Sequence, residues 1–302
     1  KSLDNNQFRA KAFVDAFINN IDWKQEVGKL DRVSKMTKAE IVSFANRFFD
    51  NGYAVIYKVQ GTDTTIQKVD KPKITPIPTN NDKHSAFLQE IVNHQVEPIK
   101  PVFVDFKKDL TKSTTKKGWP ILYKQNTQDD LFTLYLEIPF GEESDLLPGY
   151  AKMYIDYLGT DKMTNAQIKQ ELYKLACDYD IGQTDDETYF YLTGLNENLP
   201  KALALINDVI DNAKVDKEAY AAAVDLLIKS RKDKKADQRG NFRALQDYGM
   251  YGPYNSTRNM LSEQQLKSMD PQKLLDSLKK LKNYKQTVLY YGPSSIKDID
   301  NL

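Results

Sequence analysis

Histidine is scarce: the 302 residues hold only two, His84 and His94, ten positions apart in a stretch rich in proline and asparagine. Zinc sites and most serine or cysteine nucleophile machinery draw on imidazole. The two histidines do not stand four apart on a helix, so both read as structural or solvated residues. Cysteine occurs once, as Cys177, which excludes an internal disulfide and leaves the redox compartment open. No apolar run approaches the roughly 18 residues that span a bilayer, so no membrane span is expected. No Gly-rich phosphate loop is present. Charge is nearly balanced, with 43 basic and 42 acidic residues, and nothing global points to nucleic acid or an anionic membrane. The sequence begins at Lys1 with neither an initiator Met nor an apolar leader-like segment, which reads as a processed or shortened chain.

What is present is an ordinary globular composition, 40% apolar and 28% charged, long enough for one large domain or two small ones. Residues 4–49 read as helical: Phe8, Ala12, Phe13, Ala16 and Phe17 form one stripe. Thr37 is an N-cap for a helix carrying Ile41, Val42, Ala45 and Phe48. Asn51-Gly52 stops that helix, and Tyr53–Val59 has the composition of a strand. From Gly61 to Pro101 the punctuation changes: Pro72, Pro76, Pro78, Pro98, Pro101 and Asn80-Asn81 mark a linker with one short helix around Ser85–Val92.

Strand patterns begin at Val102–Phe106. Trp119–Tyr123 and Leu131–Phe140 are expected to pair across the polar loop Gln125–Asp130. Then come Gly141-Glu142-Glu143, a helix from Gly149 to Leu158, Gly159-Thr160, and a second helix opened by the capping box Thr164-x-x-Gln167. A hairpin follows over Tyr179–Leu195, turning at Asp185-Asp186. Asn198 and Pro200 start a helix with Leu203, Ile206, Val209 and Ile210 on one face. Further helices are expected over Asp216–Lys235, Arg243–Met250 and Pro271–Leu281, the last feeding a strand at Thr287–Tyr291.

The chain also repeats itself. Val33–Lys58 aligns with Leu266–Tyr291 without a gap, at a constant offset of 233 positions (37 to 270). Thr37 meets Asp270, both able to cap. Ile41, Val42, Ala45 and Phe48 meet Leu274, Leu275, Leu278 and Leu281. Val55, Ile56 and Tyr57 meet Val288, Leu289 and Tyr290. Two copies of one cap–helix–strand ending imply the tail of one module followed by a complete one.

The ordered pattern strand, Gly141, acidic pair, Gly149-Tyr150-Ala151, helix, Gly159-Thr160, capped helix and hairpin resembles the catalytic core of the pitrilysin/insulinase (M16) family of zinc peptidases. There the first helix begins Gly-x-Ala and carries H-x-x-E-H. The resemblance implies an α+β fold of the LuxS-like metallohydrolase kind, a mostly antiparallel sheet of about five or six strands with helices on one face. It implies the C-terminal part of a preceding module at 1–61, a linker at 62–105, a complete inactive module at 106–293 and the start of a next linker at 294–302.

Carried over residue by residue, the first zinc histidine falls at Lys152, the catalytic glutamate at Ile155 and the second histidine at Asp156. A lysine ammonium has no lone pair for Zn²⁺, isoleucine cannot deprotonate water, and one aspartate is too few ligands. The family's third ligand, a glutamate on the helix near Asp216, has no counterpart, because no glutamate occurs between Glu218 and Glu263. Tyr150, Met153, Tyr154 and Tyr157 become packing residues. The family's later Arg/Tyr pair has no arginine at Cys177-Asp178-Tyr179, and Tyr179 reads as a strand tyrosine.

Plainer readings cover the remaining candidates. Cys177 is a small buried hydrophobe. Asp185-Asp186-Glu187 is a solvated turn, and Glu142, Glu143 and Asp145 form an acidic loop rather than a cation site. Lys229, Arg231, Lys232, Lys234 and Lys235 answer a helix dipole. The resemblance implies the non-catalytic half of a zinc endopeptidase, closing its chamber and contacting peptide. Zinc and the general base come from a catalytic M16 module in the same polypeptide or a partner subunit. No cofactor is expected in this chain, and a bacterial envelope location follows from the resemblance only. The alternative is a scaffold or assembly subunit without proteolysis; an independent enzyme using other residues ranks last.

Overall fold

The computed structural model describes residues 5–61, 65, 67, 70–77, 79 and 81–300. Asp4 of the expected first helix, Pro78 and Asn80 of the expected linker, and residues 301–302 lie outside that set. The chain forms two compact units, Lys1–Pro101 and Val102–Leu302.

The first unit holds α1 (Asn6–Ile18), α2 (Trp23–Val27), α3 (Lys29–Ser34), α4 (Lys38–Phe48) and α5 (Ala86–Asn93). Local chemistry starts most of them: Asn5, Asp22 and Ser85 accept from first-turn amides, and Thr37 with Glu40 makes a full capping box. Phe13 stacks on Trp23 with centroids 4.1 Å apart. Ala16 is the one buried apolar side chain among the described residues of this unit. The expected strand Tyr53–Val59 is not a strand here. An extended segment becomes a strand only when neighbours take its amides and carbonyls, and no strand occurs among the described residues of this unit.

The second unit contains a six-stranded sheet in the order β1-β2-β6-β3-β5-β4. The strands are β1 (Thr111–Thr114), β2 (Pro120–Gln125), β3 (Leu131–Ile138), β4 (Cys177–Gln183), β5 (Thr188–Leu195) and β6 (Thr287–Gly292). Every pairing is antiparallel except β2 with β6. The expected β2–β3 hairpin is therefore corrected: β6, from the far end of the chain, lies between them. Val102–Phe106 is not a strand either; the edge strand begins later, at Thr111.

Helices are α6 (Leu147–Ile155), α7 (Asn165–Lys174), α8 (Leu199–Asn212), α9 (Lys217–Ala236), α10 (Gln238–Tyr251), α11 (Glu263–Ser268), α12 (Gln272–Leu281) and α13 (Ile296–Ile299). Register places Ile121, Val288, Leu136, Phe190 and Ile181 in one cross-strand row and Tyr123, Tyr290, Leu134, Leu192 and Tyr179 in the next. These rows form the face covered by α6, α8 and α12, whose Ala151, Tyr154, Ile206, Leu274 and Leu278 complete the core. On the opposite face Tyr135 stacks on Tyr189 at 5.1 Å and donates to Glu187 at 3.1 Å. Residues 294–300, expected to open a linker, include α13, whose Ile299 is buried in the core.

Candidate functional site

The site is built on α6, and the chain fixes that helix at its first turn. Leu146 provides no side-chain cap. Instead Gln183, on edge strand β4, accepts from Gly149 N at 3.0 Å and donates to Asp145 O at 2.8 Å. The loop before α6 grips the β4–β5 turn, with Glu142 N on Thr184 O at 2.8 Å and Glu143 N on Asp185 O at 3.1 Å. Gly141 permits that approach, since a Cβ there would stand 2.3 Å from Asp185 O. Burial, followed by the charge of Asp185, pushes the Glu142 carboxyl above the usual carboxylate range.

Two tyrosines tie α6 to α9. Tyr154, fully buried, donates its hydroxyl to Asp216 O at 2.9 Å and accepts from Asp216 N at 2.8 Å. The Tyr150 hydroxyl accepts from Arg231 at 2.7 Å and from Leu261 N at 3.1 Å. Arg231 also donates to Leu261 O at 2.7 Å and so acts as a structural strut, beyond the helix-dipole role expected of the basic run. Tyr157 is exposed instead of packed, with Lys169 over its ring.

Lys152, Ile155 and Asp156 all line one cleft of about 470 Å³ together with Cys177 and Tyr179. Lys152 Nζ lies 2.9 Å from Asp156 and 2.9 Å from Asp180, and 5.5 Å from the Tyr179 ring centroid. Tyr179 donates its hydroxyl to Asp156 Oδ1 at 3.2 Å. Both Asp156 oxygens are thereby engaged, one by the ammonium and one by the phenol. Burial pulls the Lys152 pKa down, but its hydrogen bonds and charge pairing with Asp156 and Asp180 outweigh that and hold it above the ordinary lysine value. Burial first, then the Asp156 charge, push the Tyr179 phenol well above its ordinary value. Ile155 is buried in the core.

A zinc ion does not fit this donor set. The ammonium stays protonated, Ile155 offers no oxygen, and the lone carboxylate already serves two donors. Among the described residues no three His, Cys, Asp or Glu side chains are grouped to hold a metal. The arrangement is a lysine-centred ion-pair network between α6 and edge strand β4. Lys152→Ala would leave Asp156 and Asp180 without their shared counter-ion. Unfolding in urea should show a loss of about 1–2 kcal/mol, between exposed and buried pairs, with part of it recovered by adding Asp180→Asn.

Of the positions read from sequence, Lys152 and Asp156 meet in space, and Ile155 sits beside them in the core. Sequence reasoning missed Asp180 as the second acid and Gln183 as the cap. It also set Tyr179 aside, although that residue joins the network. Cys177 is buried, its thiol pushed up by burial. His84 and His94 are exposed.

The second unit is an α+β fold, a mostly antiparallel six-stranded sheet covered on one face by helices. Residues 121–247 match the family described as Insulinase (Peptidase family M16). The mitochondrial-processing peptidase subunit beta of Neurospora crassa is 22% identical over 128 residues, covering 41% of this chain and 27% of that protein. Human cytochrome b-c1 complex subunit 1 is 21% identical over 100 residues, covering 33% of this chain and 21% of that protein. The chain thus spans about a quarter of the length of these curated relatives. Among solved structures, a peptidase M16 inactive domain from Pseudomonas fluorescens superposes with a TM-score of 0.53 at 16% identity, covering 64% of this chain and 48% of that one. The periplasmic protease PqqL from Escherichia coli gives a TM-score of 0.53 at 12% identity, covering 98% of this chain and 35% of that one. No helix among the described residues is long and apolar enough to cross a membrane.

Proposed function

We propose that this chain is part of the non-catalytic half of an M16-type zinc endopeptidase. It closes the substrate chamber and contacts peptide, while zinc and the catalytic glutamate come from a module outside these residues. The observation that supports this reading is the network at Lys152, Asp156, Asp180 and Tyr179, which leaves no metal-binding group free on the helix that the resemblance aligns with the metal motif. Two surfaces suit a peptide. Edge strand β4 pairs only with β5, so its outer backbone groups are available for strand addition. The sheet face opposite the helices presents Tyr135, Tyr189 and Tyr191, and aromatic side chains supply contact area at low entropic cost.

The purified chain is expected to carry substoichiometric zinc by elemental analysis and to leave a fluorogenic peptide library uncut, with or without added zinc. Tight 1:1 zinc, or cleavage abolished by a chelator, would overturn the reading. A second reading is a scaffold subunit of a larger assembly, favoured by the likeness to a protein named as a cytochrome b-c1 complex subunit. The full gene separates the two: an upstream H-x-x-E-H supports the peptidase, and its absence supports the scaffold.

A further inference from the structure

Leu136 lies on the helix-covered face of β3, in the middle of the sheet, yet it is only half-buried. Ile121 and Ile181 in the same cross-strand row are buried. Beside Leu136 the sheet and the helices α8 and α12 leave a gap. Its inner part, about 70 Å³, is bounded chiefly by Leu136, Ile138, Ile181, Phe190, Leu278 and Leu281. Its outer part, about 340 Å³, runs on from there, since Leu136, Leu203, Asn207, Lys282 and Gln286 line both. Leu134, Val288 and Ile299, all buried, extend the apolar floor. Protein interiors are normally close-packed, and a gap walled by apolar side chains takes an apolar guest more readily than water.

The rim of the outer part has another character. Lys116, Lys117 and Trp119 of the β1–β2 turn line it together with Lys282 and Asp300, so three lysines face one aspartate. The turn is preformed. Gly118 N donates to Thr115 O at 2.8 Å, Thr115 N donates to Trp119 O at 2.8 Å, and Gly118 sits at φ +80°, where glycine is favoured. Lys117 Nζ stands 4.9 Å from the Trp119 ring centroid. Lys282 is already answered by Asp211 at 2.7 Å, whereas no ion pair among the described residues engages Lys116 or Lys117. Gln286, buried where the two parts join, spends its amide nitrogen on Leu281 O at 3.3 Å.

We infer that this gap is a binding site for a medium-chain carboxylate, an unbranched acyl tail ending in one anionic head. The tail lies along Leu134, Leu136 and Leu203 toward the inner part, and the head stays at the rim with Lys116 and Lys117. The apolar walls make affinity grow with tail length. The cationic rim selects an anion over an amine or an alcohol of the same length. The gap shares no lining residue with the cleft at Lys152, so the inference does not rest on the proposed function.

Calorimetric titration of hexanoate, octanoate and decanoate into the purified chain, each below its micellar concentration, tests the site. Octanoate and decanoate should bind 1:1, with each added methylene tightening affinity about three- to fourfold. Decylamine, with the same tail as decanoate and the opposite head, should bind at least about tenfold more weakly. Replacing Lys116→Ala and Lys117→Ala together, both exposed and outside the core, should weaken octanoate about three- to tenfold and leave 1-octanol unchanged. Methyl NMR shifts on adding decanoate should fall at Leu134, Leu136 and Leu203. Affinity that does not grow with tail length, decylamine as tight as decanoate, an unaffected lysine variant, or shifts confined to other methyls would each overturn the inference. None of these readouts involves zinc or peptide cleavage, so a failure of the proposed function is told apart from a failure here.

Discussion

Leu274→Ala is expected to lower the unfolding free energy of the second unit by about 2–5 kcal/mol, the range for emptying a fully buried leucine site. Leu274 is completely buried on α12, the helix that packs on α6 and closes the core. The surrounding side chains come from α6, α8 and the sheet, so the site cannot collapse without moving several elements. The repeat supplies an internal control. Ile41→Ala, at the matching position of α4, should change stability by no more than about 0.5 kcal/mol, as for a surface substitution. Urea denaturation of the two variants against the unaltered chain makes the comparison. A large loss from Ile41→Ala would mean that α4 is already covered in solution.

Stability should be level from pH 8 to 9 and fall steeply above pH 10. Tyr123, Tyr135, Tyr154, Tyr179, Tyr220 and Tyr290 all have phenols raised above the ordinary 10.0, with burial the leading cause in each. A raised folded pKa contributes stability that is intact below the unfolded value. Above it the unfolded chain sheds the proton while the folded chain retains it, so unfolding gains ground with each pH step. Each tyrosine held back contributes up to about 1.4 kcal/mol per pH unit. Lys152, raised above 10.5, acts with the same sign. Urea unfolding at pH 8, 9, 10 and 11 measures the slope, and Tyr179→Phe should make it shallower. A level profile to pH 11 would contradict the burial of these phenols.

Helices and the β4–β5 hairpin were legible because their signals are local. The Thr164–Gln167 capping box, the apolar stripe of α8 and the Asp185-Asp186 turn need no distant partner. The same kind of box at Ser262–Gln265 opens α11, a helix that the sequence reading passed over although its signal was present. What local pattern could not give was partnership. Trp119–Tyr123 and Leu131–Phe140 look like neighbours because they are adjacent in sequence, yet β6 separates them. Tyr53–Val59 has strand composition and nothing to pair with among the described residues. At the site, Lys152 and Asp156 share a helix face at i and i+4, so their pairing was readable. Asp180 and Tyr179 arrive through the registry of an edge strand, which only tertiary structure fixes.

The place of β6 also sets the order in which the second unit can mature. Its central strand is nearly the last element to leave a ribosome, yet β2 and β3 find each other only through it. A nascent chain halted before Thr287 therefore keeps both inner edges unzipped, with a slot flanked by Ile121 and Leu136 awaiting Val288. Such long-range closure slows folding and prolongs exposure to off-pathway pairing. Emergence of Thr287–Gly292 is the step at which those two edges can close.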